Sequence, residues 1–76
     1  MMTERKIMLG LNEVKDFVRA ATECDFDVDI FYNRYSVDAK SILGVMGLDL
    51  SRVLTVRYNG YNSNFEQYLN RYAIAG

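Results

Sequence analysis

Along this chain the spacing of apolar residues switches between a period of two and a period near 3.6. Phe26, Val28 and Ile30 alternate with Asp25, Asp27 and Asp29, the pattern of a strand with one buried face. Upstream, Val14, Phe17, Val18 and Ala21 recur at helical spacing, with Lys15, Asp16 and Arg19 between them. That spacing predicts a helix from Glu13 to about Glu23, with Asn12 as its N-cap and Glu13 in the first turn, where acid is favoured. Arg5 to Leu9 predicts a short strand that Gly10 ends. Tyr32, Asn33 and Arg34 approach a turn, and Tyr35 to Val37 returns as a second strand; without an Asn-Gly pair the turn type stays open.

A short helix is predicted from Ser41 to about Leu48. Arg52 to Tyr58 is rich in β-branched and aromatic residues and predicts a strand, followed by the turn dipeptide Asn59-Gly60. Asn62 or Ser63 caps a last helix, whose Phe65, Tyr68, Leu69 and Tyr72 form one apolar stripe. The order is β-α-β-β-α-β-α. Amphipathic helices and half-buried strands predict an α+β fold of two layers, with helices over one side of a mainly antiparallel sheet.

Size and composition narrow the function. Seventy-six residues make one domain at most, taken as 1–76. Such a chain folds to roughly 4,800 Å² of surface from roughly 12,800 Å², burying about 60%. With 50% hydrophobic and 25% charged residues it has a soluble globular balance, and the absence of a long apolar run predicts a cytoplasmic protein without a membrane partner. A net charge of −1 gives no electrostatic footprint for nucleic acid. There is no histidine, which removes the commonest general base, the commonest metal ligand and every Ser-His or Cys-His pair. One cysteine allows neither an internal disulfide nor a thiolate zinc cluster. No catalytic residue, metal site or cofactor is expected.

The second predicted helix is apolar nearly all round: Ile42, Leu43, Gly44, Val45, Met46, Gly47 and Leu48 follow Ser41. Such a helix is buried in a core or exposes an apolar patch, and patterning alone leaves both open. Full burial is difficult in so small a domain, which favours Ile42, Leu43 or Met46 facing outward. Ser41 at the helix start is first of all a capping residue. Its sharper reading is a phosphorylation site, with the helix start and adjacent Lys40 to receive the phosphate and an apolar patch beside it.

The run Val37 to Leu48, V-D-A-K-S-I-L-G-V-M-G-L, resembles the signature around the regulatory serine of HPr, the histidine-containing phosphocarrier of the bacterial sugar phosphotransferase system. Asp16 to Ala21 is similar to that family's first helix, Asp25 to Asn33 to its second strand and hairpin, and Leu54 to Gly60 to its fourth strand and following turn. The resemblance covers most of the chain. It implies an open-faced sandwich, three helices on one side of a four-stranded antiparallel sheet. It also implies that Ser41 is the target of an ATP-dependent HPr kinase. The phosphorylated form would then bind a catabolite control protein, with Lys40, Ile42, Leu43 and Met46 at the docking surface.

The departures bear on function. The family's Gly-hydrophobic-His-x-Arg-Pro phosphocarrier loop is replaced by Leu9 to Val14, L-G-L-N-E-V, and no residue there can replace the imidazole. The resemblance is thus to a member without phosphoryl relay, like the family's catabolite-repression variant, which lacks the histidine and keeps the serine. Asp49 to Val53 is shorter than the family's segment, and Arg34-Tyr35 stands where Gly-Lys is frequent.

Other constellations carry less. The aspartates at 25, 27 and 29 open like a calcium loop, but Ile30 replaces the required glycine and Ser36 the bidentate glutamate. Cys24 reads as a small buried hydrophobe without a basic neighbour. Tyr68 and Tyr72 read as core, since a base-stacking platform needs a basic groove. Arg5, Lys6 and Lys15 make no pocket. The reading that follows is a regulatory binding module controlled through Ser41, monomeric or weakly dimeric. The alternative is an unmodified HPr-like domain that pairs through the helix patch with itself or another protein, and an enzyme ranks last.

Overall fold

The computed structural model describes residues 2–74. One antiparallel sheet is built from β1 (Thr3–Ile7), β2 (Val28–Tyr32), β3 (Tyr35–Asp38) and β4 (Leu54–Tyr58), in spatial order β1-β4-β2-β3. Three helices, α1 (Val14–Thr22), α2 (Ile42–Met46) and α3 (Ser63–Tyr72), complete the order β-α-β-β-α-β-α. This is the α+β open-faced sandwich that the period switches and the resemblance imply.

The register explains which face is covered. Ile7 pairs with Leu54, Arg5 with Val56 and Val28 with Tyr58. Because side chains alternate along a strand, Ile7, Val28, Ile30, Leu54, Val56 and Tyr58 share one buried face. The helices fill it with Val14, Phe17 and Ala21 from α1, Val45 from α2, and Phe65 and Leu69 from α3. The opposite face carries Glu4, Lys6, Asp29, Thr55 and Arg57. There the Glu4 carboxylate accepts from Arg57 Nε at 3.0 Å, and the Arg57 guanidinium lies 4.4 Å from the centre of the Phe31 ring.

A polar network pins α3 to the sheet. The Tyr58 hydroxyl donates to Glu66, whose other oxygen accepts from Arg5 Nη1 at 3.0 Å; Arg5 Nη2 also reaches Asn70. Burial, and then the hydrogen bond to Glu66, push the Tyr58 phenol well up from its ordinary value, so it stays a donor. Gly60 follows β4 where a Cβ would overlap the Phe26 ring, which itself stacks on Tyr58 at 5.8 Å.

Several boundaries differ from the sequence expectation, each for a tertiary reason. The first strand ends at Ile7 and not at Leu9. Met8 N–H donates to the Tyr72 carbonyl and Ile74 N–H to the Lys6 carbonyl, so the chain turns toward the end of α3. Leu9 is buried all the same, outside the sheet. The fourth strand begins at Leu54 and not at Arg52. Asp49 collects the Ser51 N–H and hydroxyl and the Arg52 Nε, which bends the chain into a turn there. Asn12 is not an N-cap: it sits inside a 3-10 turn, Leu11–Glu13, that leads into α1. The β2–β3 hairpin closes over Asn33 and Arg34, and Asn33 takes a left-handed φ of 52°, which asparagine tolerates.

Candidate functional site

The segment after β3 is braced by its own backbone. Ala39 is fully buried and its N–H donates to the Val28 carbonyl at 2.8 Å. Asp38 accepts twice: its side chain from Lys40 N–H at 2.9 Å, its carbonyl from Ser41 N–H at 3.0 Å. Ser41 is therefore held extended (φ −105°, ψ 110°), and its Oγ accepts from Gly44 N–H at 3.2 Å, the N-cap geometry the sequence implies. Packing at Gly44 is close, because a Cβ there would stand 3.3 Å from Val37 Cβ and from Ser41 Oγ.

α2 is shorter than the expected span to Leu48. It stops at Met46, with Gly47 and Leu48 in the turn that follows. Val45 faces inward at 0% exposure. Ile42 is 40% exposed, Met46 50% and Leu43 82%, so three large apolar side chains stand in solvent beside the exposed Ser41. Ser41 Oγ has no hydrogen-bonded base among the described residues, so the hydroxyl is not an activated nucleophile. Substituting Ser41→Ala removes the cap and should lower stability by about 1 kcal/mol. Urea unfolding checks this; a loss above about 2 kcal/mol would mean that Ser41 holds more than one turn of backbone.

Lys40 is placed differently from the other four expected residues. Its ammonium turns away from α2 and donates to the Cys24 carbonyl at 3.0 Å, just past the end of α1. Cys24 itself is buried, its Sγ 3.7 Å from the Ala20 carbonyl, and burial pushes its thiol up, keeping it protonated. Ser41, Ile42, Leu43 and Met46 thus share one exposed helix, while Lys40 joins that helix start to α1.

Where the family's histidine loop would stand, the chain closes on itself. Gly10 N–H donates to Glu13 Oε1 at 2.7 Å and Glu13 N–H donates back to the Gly10 carbonyl at 2.9 Å. The carboxylate thus takes the Gly10 N–H, closing a capping box on the 3-10 turn. Leu11, 64% exposed, stands on the same turn. Its outward position is not legible from the sequence, because a leucine three residues before Val14 reads as part of the helical stripe. A second feature missed from the sequence is an open groove of about 450 Å³ beside α2, bounded by Tyr32, Tyr35, Val37, Leu43, Gly47 and Asp49. Tyr32 and Tyr35 face each other across the hairpin at 5.8 Å, and only the two-residue turn brings them together.

Comparison with known proteins shows both a family and a fold. The family described as "PTS HPr component phosphorylation site" matches residues 10–64. A crystal structure of a phosphocarrier protein HPr from Bacillus anthracis str. Ames has the same fold. Its TM-score is 0.72 and its sequence identity 23%, over 96% of this chain and 98% of that one. No curated protein matches the sequence. No helix among the described residues is long and apolar enough to cross a membrane.

Proposed function

The chain belongs to the PTS HPr family, and we propose that within it this chain is a regulatory binding module and not a histidine phosphocarrier. It is read as a single HPr-like domain acting in the cytoplasm, with no catalysis of its own. Ser41 is the modified residue: an HPr kinase transfers the γ-phosphoryl group of ATP to Ser41 Oγ, releasing ADP and the hydroxyl proton. The phosphorylated face, with Ile42, Leu43 and Met46, then docks a catabolite control protein.

The observation that carries this reading is the contrast between two sites. The serine helix presents an exposed hydroxyl beside three exposed apolar side chains. The loop before α1 has no histidine, and its Gly10 N–H is taken by the Glu13 carboxylate. A phosphate on Ser41 adds nearly two negative charges next to an apolar patch, which gives a partner two states to distinguish.

The test is a calorimetric titration of the host's catabolite control protein with the phosphorylated and unmodified chains. The phosphorylated chain should bind at least tenfold more tightly, and Leu43→Asp should weaken that binding on the order of tenfold or more. Equal affinities for the two forms would remove the regulatory reading.

A further inference from the structure

We propose that Lys40 is a switched tether, which holds the end of α1 while Ser41 is unmodified and leaves it for the phosphate when Ser41 is phosphorylated. The proposal rests on the reading of Ser41 given above. In the unmodified chain the Lys40 ammonium donates to the Cys24 carbonyl at 3.0 Å, across sixteen residues of sequence. That carbonyl lies two residues past the last residue of α1, at the end of the helix where its dipole favours a cation. The contact is therefore useful to α1, but its acceptor is neutral.

A phosphoserine at position 41 offers a stronger acceptor. It carries nearly two negative charges and three acceptor oxygens, so the Lys40 cation meets an opposite charge there that the neutral carbonyl does not offer. Successive Cα atoms lie about 3.8 Å apart, within reach of the flexible four-carbon lysine stem. From Asp38 to Met46 Lys40 is the only basic residue. Arg5, Arg52 and Arg57 are already paired with Glu66, Asp49 and Glu4.

The immediate surroundings increase the demand for that cation. α2 has only five residues, and its Gly44 N–H is already taken by Ser41 Oγ. The Asp38 carboxylate, which holds Lys40 N–H at 2.9 Å, adds negative charge to the same turn. The backbone of Lys40 stays fixed by that bond while its side chain exchanges one acceptor for the other. The Cys24 carbonyl then loses its donor, and the state of Ser41 is felt at the far end of α1.

The readout is amide hydrogen exchange at Glu23 and Cys24, whose N–H groups close the end of α1 on the Arg19 and Ala21 carbonyls. The probe is the 76-residue chain made by chemical synthesis with phosphoserine at position 41. Phosphorylation should speed exchange at these two amides about fivefold, the effect of losing one hydrogen bond, and leave Val56 in β4 unchanged. Unmodified Lys40→Met should already show the faster exchange, and adding phosphoserine to it should change nothing further. Equal exchange in the native chain with and without phosphate would overturn the tether. So would a further opening when Lys40→Met is phosphorylated. Because the phosphate is installed by synthesis, refusal of Ser41 by a kinase would count against the functional reading and leave this measurement valid.

Discussion

Incubated with enzyme I and phosphoenolpyruvate, this chain should take up no phosphate. Phosphoryl relay needs a nucleophile that accepts the group and gives it up again, and in the HPr family that nucleophile is an imidazole. Here there is no histidine in the whole sequence. The loop where it would stand offers Gly10, Leu11 and Asn12, none of which has a nucleophilic side chain. Glu13 is nearest in type, but its carboxylate already accepts from Gly10 N–H at 2.7 Å. Cys24 is buried and its thiol is pushed up, which leaves little thiolate. Removing the nucleophile of such a reaction costs on the order of a millionfold in rate. Radiolabelled phosphoenolpyruvate with a histidine-bearing HPr as positive control checks this. A label on this chain at a comparable rate would show that another side chain serves as carrier.

Phe65→Ala should cost about 3–5 kcal/mol, as deletion of a large buried aromatic does. Phe65 is 1% exposed and lies where three elements meet. Its ring stands edge-on to Tyr58 of β4 at 5.3 Å and tilted against Phe17 of α1 at 6.3 Å. Its backbone N–H is the one capped by the Asn62 side chain, at 2.9 Å, so the residue also sits in the capped first turn of α3. A chain of this length has roughly 4–11 kcal/mol of stability in all, so the variant gives up a large share of it. Urea unfolding followed by circular dichroism reads the loss as a fall in midpoint at constant slope. A cost below about 1 kcal/mol would mean that α3 is not locked to the sheet through this ring.

The element order was legible because each change of apolar period has a distinct physical cause. Alternating Val28 and Ile30 fit a sheet with one covered face, and Phe65 and Leu69 fit a helix lying on it. The ends were less legible, because burial alone does not say how a residue is buried. Leu9 is as apolar as Ile7 and almost as buried, yet it leaves the sheet to meet the end of α3. Arg52 and Val53 have strand-like side chains, but Asp49 uses its carboxylate to turn the chain before them.

The candidate site divides in the same way. Ser41 as a cap is a local property, set by the bond from Gly44 N–H three residues on, and the sequence carries it. The exposure of Leu43 follows from a helix too short and too close to the surface to bury all its sides. The bond from Lys40 to Cys24 is a contact between distant parts of the chain and has no local signal. The capping of the 3-10 turn before α1 by Gly10 and Glu13 is local, but the competing asparagine masks it in the sequence.

The central claim is that the chain keeps regulation and has lost relay, and mass spectrometry after incubation with HPr kinase and ATP tests it most directly. The native chain should gain one phosphate, mapped to Ser41, and the Ser41→Ala variant should gain none. A native chain that stays unmodified while a control HPr is phosphorylated in the same tube would contradict the account.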